Sequence, residues 1–311
     1  MVLYLIDGNS YFYRAFHAIR ELSNSKGFPT NAIYGFTTML LKIVREKKPD
    51  ALAIVFDSPV PTERHRMYEA YKAHRPEMPD ALKLQVPRIK EVIGAFNVPM
   101  FEMPGHEADD IICTLAKKAA DQGSAVYIVT GDKDMMQAVS SSIKIYDPMK
   151  DSIIDEQYVR ERFGIPPARM SEIMALTGDS ADNIPGAKGI GEKRARELLL
   201  KAGSLDELLE HPEKIENERF RNMILESMEN IKLSKTLAAI DSTLPVDLDI
   251  RDLVVREPNW PELLKLFTEF EFKSLVKLVP AEGYTPRGEY RTITSEGELL
   301  ELLGKTGTKG H

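Results

Sequence analysis

A chain of 311 residues with 43% hydrophobic and 29% charged side chains holds one large packed domain or two modest ones. The single cysteine, Cys113, excludes an internal disulfide, and no apolar run approaches the roughly 20 residues that span a bilayer, so the expected setting is the cytoplasm with no membrane partner. The net charge of −7 speaks against nucleic acid at first sight. Nine carboxylates singled out below carry that whole excess, because without them 39 acids face 41 bases.

Residues 2–6 form an apolar run that predicts a buried strand ending at Asp7. Residues 32–44 place Ile33, Phe36, Leu40, Ile43 and Val44 at helical spacing, and residues 51–56 predict a second strand. A helix is expected over 85–96 from Val86, Ile89, Ile93 and Phe96, another over 108–120, and a third strand over 125–129. Cys113, behind Ile111 and Ile112, reads as a small buried hydrophobe. Apolar strands alternating with helices predict an α/β fold, a mainly parallel central sheet flanked by helices.

Residues 58–84 interrupt this pattern with Pro59, Pro61, Pro76 and Pro79, the bases Arg64, Arg66, Lys72, Arg75 and Lys83, and Tyr68 and Tyr71. An insertion of that length is expected to be a binding element or lid. From about residue 165 the pattern turns helical as far as Pro280, with a glycine-rich hinge at 186–191 followed by Lys193, Arg194 and Arg196. Residues 281–288 read as a linker, 290–293 as a short strand and 296–303 as a short helix. The expected organisation is a catalytic α/β domain over 1–170 with an arch at about 58–90, a helical region over 171–280, and a linker with the start of a further domain over 281–311.

Five segments offer acids: Asp7, Asp57, Glu107 with Asp109 and Asp110, Asp132 with Asp134, and Asp179 with Asp182. Singly, each is an ordinary turn former or helix cap. Asp7, Asp57, Asp132 and Asp134, however, all fall just past the carboxyl end of a predicted strand, where sites form in such sheets. Acids gathered at one sheet edge repel one another unless cations neutralise them. Oxygen-only donors without a His or Cys cluster suit hard ions, Mg²⁺ or Mn²⁺. Two or more such ions imply phosphoryl chemistry, by activating water and stabilising an in-line transition state.

The ordered set of motifs resembles the 5′-nuclease domain of bacterial DNA polymerase I, within the flap endonuclease superfamily. The resemblance runs over about residues 1–280. It rests on the segments Leu5 to Arg14, Pro29 to Phe36, Val55 to Asp57, Tyr71 to Pro79, Glu107 to Asp110, Thr130 to Met135 and Gly178 to Lys193. It implies a PIN-like fold with a helical arch and a helix–two-turn–helix region. Asp7, Asp57, Glu107, Asp109 and Asp110 would surround a first metal, and Asp132, Asp134, Asp179 and Asp182 a second. Lys72 and Arg75 would contact the scissile phosphate; with Asp57 and Asp132 they make the expected catalytic group. Their spacing of three predicts one shared helix face. Arg14 and Tyr71 would touch substrate near the cleaved end, Tyr71 either stacking on a base or packing the arch. The turn of Gly186, Lys188, Gly189 and Gly191, with Lys193 and Arg194, would grip duplex backbone and hold a potassium ion on carbonyls. The tail beyond 290 resembles the opening of a 3′-5′ exonuclease-like domain.

The implied activity is hydrolysis of phosphodiesters at branched, nicked or 5′-flap duplex DNA and RNA-primed DNA, for primer removal and repair. The protein would be monomeric, with a polymerase domain linked in the full-length chain. A standalone 5′-3′ exonuclease and a non-catalytic junction-binding module are the alternatives. An RNA-specific nuclease and a small-molecule phosphatase are further rivals, and a basic arch serves no purpose in the last.

Overall fold

The computed structural model describes residues 1–246 and 249–280. The strand and helix expected at 290–293 and 296–303 lie outside those residues. Six strands form one sheet: β1 (Val2–Asp7), β2 (Ala51–Val55), β3 (Met100–Phe101), β4 (Ala125–Val129), β5 (Ile143–Asp147) and β6 (Ser152–Ile154), in the order β3-β2-β1-β4-β5-β6. All neighbours are parallel except β5 and β6, which are joined by a tight turn. The expected mainly parallel sheet is therefore present, with an antiparallel edge.

Alternation along the strands explains the two packed faces. Leu3, Leu5, Ala53, Val55, Val126 and Ile128 turn to one side, where they meet Ile111, Ile112, Leu115 and Ala119 of the Ala108–Asp121 helix. The same core continues without a break into Leu176, Leu199, Ile231 and Leu253 of the later helices. Tyr4, Ile6, Leu52 and Ile54 turn to the other side. There they are covered by the Asn31–Lys42, Gln85–Ala95 and Trp260–Glu269 helices, through Phe36, Leu40, Ile93 and Phe267. Each fully buried Leu, Ile or Phe contributes about 1.5–3 kcal/mol of burial free energy. Cys113 is buried in the first of these cores, as its neighbours predict.

The predicted strands and helices recur within a residue or two. The Asn31–Lys42 helix ends in a wider turn, Ile43–Lys47, closed by Lys48 in the left-handed region at φ 47. The Gly8–Ala18 helix, β3, β5 and β6 were not anticipated. β3 is only two residues long, and a segment so short carries no periodicity to read.

The arch departs from expectation. Residues 58–84 hold two short helices, Glu63–Met67 and Asp80–Lys83, joined by a run of turns. Lys72 sits at φ 57 inside those turns, so Lys72 and Arg75 do not share a helix face. The prolines at 76 and 79 explain the break, because the residue before a proline is driven out of the helical region.

Two glycines in the later helical region pack back to back. Gly178 and Gly186 both have positive φ, 66 and 60. A β-carbon on Gly186 would run into the backbone of Thr177 and Gly178. Gly186→Ala is therefore expected to destabilise the protein by about 2 kcal/mol or more, combining backbone strain and overpacking. Urea unfolding followed by circular dichroism measures this, and a midpoint unchanged from the parent would contradict it.

Among the described residues, no helix is long and apolar enough to cross a membrane.

Candidate active site: an acidic cleft at the strand ends

Asp7 ends β1, is 5% exposed, and caps the Gly8–Ala18 helix by accepting the Ser10 N–H at 2.9 Å. Its second oxygen accepts the Thr130 hydroxyl at 3.0 Å, and the same hydroxyl oxygen accepts the Asp132 N–H at 3.1 Å. Thr130 thus joins the end of β1 to the turn after β4. Asp57, two residues past β2, accepts the Ala108 N–H at 2.8 Å, and its own N–H donates to Asn9 Oδ1 at 3.2 Å. A strand-end acid so caps the helix that carries Asp109 and Asp110 in its first turn, where the dipole favours negative charge. Asp132 Oδ1 accepts the Asp134 N–H at 2.9 Å, and Asp179 caps its own turn through the Ala181 N–H at 2.7 Å.

Electrostatics divide the nine expected metal acids into two sets. Asp7, Asp57, Asp109, Asp132, Asp134 and Asp179 have no basic partner in any ion pair among the described residues. Burial first, then the charges of Asp57 and Asp132, raise Asp7 to about 7. Burial and then Asp132 and Asp179 raise Asp134 to about 7. Burial raises Asp57, and burial together with Asp7, Asp132 and Asp57 raises Asp109 well above the carboxylate range. One oxygen of Asp134, Oδ1, is buried without any hydrogen-bond donor.

Glu107, Asp110 and Asp182 are instead taken up by the arch. Lys72 Nζ lies 2.9 Å from Glu107 Oε1 and 3.8 Å from Asp182 Oδ2, and Arg75 Nε donates to Asp182 at 2.9 Å. Arg64 pairs with Asp110 through both terminal nitrogens, at 2.7 and 2.8 Å. Burial would raise Glu107, but Lys72, Arg64 and Tyr71 outweigh it and hold Glu107 below its ordinary range.

In this arrangement the nine expected metal acids divide into six without an ion-pair partner among the described residues and three held by arch bases. Among the described residues, no group of three His, Cys, Asp or Glu side chains is drawn tightly enough to hold an ion as it stands. The six remaining acids, all oxygen donors and one with an orphaned buried atom, are the part of the set whose chemistry fits hard divalent cations.

An open cleft of about 370 Å³ runs past Asp132, Asp134, Asp179 and Asp182, with Arg14 and Arg75 on its wall. Arg14 is half-buried, lies 3.5 Å from the buried Asp147, and rests on Gly131, where a β-carbon would collide with the guanidinium. Tyr71 is 4% exposed; its hydroxyl donates to Glu107 at 3.1 Å and its ring meets His65 edge-on at 5.2 Å. Of its two expected roles, the structure shows arch packing, and the ring is not presented to a base.

At the hinge, the Gly186 N–H donates to Ser234 Oγ at 2.9 Å, and Gly191 caps the Glu192–Ala202 helix. Lys188, Gly189 and Lys193 are exposed. Arg194 stacks on Phe220 at 3.8 Å and pairs with Glu197 at 2.9 Å, while Arg196 turns back to the Phe163 carbonyl at 3.0 Å. Lys188 and Lys193 are therefore the exposed bases of this turn with no ion-pair partner among the described residues.

Sequence reasoning missed the roles of Asn9, Thr130 and Arg64. Thr130 lies in the Thr130 to Met135 segment, and Arg64 reads from the sequence as one base among several in the 58–84 stretch. The signal for Arg64 was the acid pair at Glu107 and Asp110, three apart on one helical turn and in need of a buried cation.

Acids at the ends of parallel strands, beside a cleft walled by Arg14 and Arg75, are the arrangement of a phosphodiester-cleaving class of protein. Comparison with known families agrees: residues 2–164 match the 5′-3′ exonuclease N-terminal resolvase-like domain, and residues 165–261 match the 5′-3′ exonuclease C-terminal SAM fold. The chain belongs to the 5′-3′ exonuclease family. It is 41% identical over 277 residues to a 5′-3′ exonuclease of Aquifex aeolicus, covering 89% of this chain and 94% of that one. It is also 41% identical over 285 residues to DNA polymerase I of Rhizobium leguminosarum, covering 89% of this chain and only 28% of the polymerase. A solved structure of the bacteriophage T5 flap endonuclease with DNA and metal ions shares the fold, at TM-score 0.64 and 17% identity, covering 78% of this chain and 89% of that one.

Proposed function

We propose that this nuclease hydrolyses phosphodiesters near the 5′ end of one strand at junctions of single- and double-stranded DNA, using divalent cations held in the acidic cleft. The observation that carries this reading is the set of six acids without an ion-pair partner among the described residues, four of them (Asp7, Asp57, Asp109 and Asp134) raised by burial and by neighbouring acids, beside a cleft lined by Arg14 and Arg75. Mg²⁺ or Mn²⁺ bound there, as two or more ions, would supply Lewis-acid activation of water and charge neutralisation. Asp7, Asp57 and Asp109, with Glu107 and Asp110 behind them on the arch bases, would hold cations on one side, and Asp132, Asp134, Asp179 and Asp182 on the other, some through water. The T5 flap endonuclease structure, which contains DNA and metal ions, supports both halves of the proposal.

The chain's own bases handle the phosphate. Arg14 and Arg75 line the cleft, and Lys72 and Arg75 already stand on carboxylates, whose place a phosphate oxygen would take. Residues 1–170 would carry the chemistry, and the helices of 171–280 would hold the duplex through Lys188, Lys193 and the free N–H groups at Gly191. Carbonyls of the 186–191 turn would hold a potassium ion, although that of Ala187 already accepts the Ile190 N–H at 3.0 Å. Substrates would be flapped, nicked or branched duplex DNA and RNA-primed DNA, met by a monomer in the cytoplasm. A polymerase linked to the same chain agrees with the DNA polymerase I relatives; a nuclease acting alone agrees with the A. aeolicus relative.

The test compares a labelled 5′-flap duplex, single-stranded RNA of equal length and a small phosphomonoester, each with Mn²⁺. Cleavage of the flap duplex near its junction is expected, with little on the other two. Preferential hydrolysis of the RNA or the monoester would overturn the substrate assignment.

A further inference from the structure

We propose that Arg64 is a positioning residue that couples the duplex-gripping helices to the acidic cleft. The proposal rests on the nuclease reading above and adds a residue to it. Arg64 is 9% exposed, and all five of its N–H donors are used. Nη1 donates to Asp110 Oδ2 at 2.7 Å and Glu107 Oε2 at 3.1 Å. Nη2 donates to Asp110 Oδ1 at 2.8 Å and the Ala239 carbonyl at 2.7 Å, and Nε to the Leu237 carbonyl at 3.0 Å.

Those two carbonyls close the Met228–Ala238 helix, the negative end of its dipole, where a guanidinium is favoured. The same helix carries Ser234, which accepts the Gly186 N–H of the duplex-binding turn at 2.9 Å. One unbroken set of hydrogen bonds therefore runs from that turn, through a rigid helix and one guanidinium, to Glu107. At Glu107 it meets Lys72, the base expected on the scissile phosphate. Asp110 has both oxygens occupied by Arg64, and Oδ1 accepts the Asp241 N–H at 2.8 Å as well. Asp110 thus serves as counter-ion to Arg64. Burying a guanidinium is costly, and this one is retained where three separate segments meet.

Lysine has three donors radiating from one atom and cannot span the same five acceptors. The experiment measures single-turnover cleavage of a 5′-flap duplex and of a single strand lacking the duplex, with equilibrium binding of the flap duplex, for wild type and R64K. The expected result is unchanged duplex affinity with a rate ratio between the two substrates that falls about 10²-fold, the cost of a small misplacement at a catalytic centre. R64Q/D110N, whose paired amides leave no lone buried charge, carries the same expectation and keeps the test valid if R64K does not fold. Equal slowing on both substrates, or no slowing, overturns the coupling. Wild-type protein inactive on both substrates would overturn the nuclease reading itself, and this proposal with it.

Discussion

Asp132→Ala is expected to leave flap-duplex binding intact and to lower the single-turnover cleavage rate by at least about 10²–10³-fold, the scale on which preorganised charge at a reacting centre acts. Asp132 is exposed at the mouth of the cleft, and its charge acts on Asp7 and Asp109 on one side and on Asp134 on the other. No other acid of the set raises neighbours in both groups. Its own removal costs little in folding, since it accepts one exposed backbone hydrogen bond, from Asp134. Loss of cleavage with retained binding also separates an enzyme from a passive junction binder. Binding by fluorescence anisotropy and cleavage by gel, on the same preparation, give both numbers. Cleavage at the parent rate would place the reaction elsewhere.

The second large effect is on stability. In metal-free protein, Asp7 and Asp134 hold their protons to about pH 7, whereas in the unfolded chain they lose them near 3.8. Over that interval the folded state binds more protons than the unfolded one, so these groups make the protein less stable as pH rises from about 4 to about 7. For Asp7 alone the shift corresponds to a few kcal/mol, at about 1.4 kcal/mol for each pH unit. Asp57 and Asp109 shift in the same direction and add to the loss. The metal-free melting temperature should therefore fall by roughly 5–10 °C between about pH 5.5 and pH 8. Millimolar Mn²⁺ should restore most of it at the upper pH and little at the lower, because cations bind the ionised acids of the folded state. Calorimetry at both pH values, with and without cation, measures this. A melting temperature that rises with pH in chelator would show that the acids do not repel as described.

Much of this architecture was legible because its elements are long and patterned. The Ala108–Asp121 helix announced itself through Ile111, Ile112 and Leu115, and β1, β2 and β4 through apolar runs bounded by acids. The position of Asp7 and Asp57 at strand ends followed from the rule that open parallel sheets bind ligands there. What the sequence concealed was which acid faces which base. Lys72 and Arg75 converge on Asp182 from a left-handed turn rather than a helix, so the spacing that predicts one shared helix face gives the wrong geometry here. Arg64 and Asp110 lie 46 residues apart; the acid pair at Glu107 and Asp110 asks for a buried cation, but nothing local tells which base supplies it. Thr130 was equally silent, because a hydroxyl after a strand is most often only a turn former. Long-range pairing of charges is decided by tertiary packing, which periodicity does not encode.

Under the proposed function the unpaired acids work through bound cations. The most direct measurement is product formation from a 5′-labelled flap duplex with the metal-free protein in chelator, followed by addition of Mn²⁺ or Mg²⁺ in excess. No product before addition, and a short labelled 5′ fragment accumulating after it, is the predicted result. Cleavage proceeding at the same rate in chelator would contradict it.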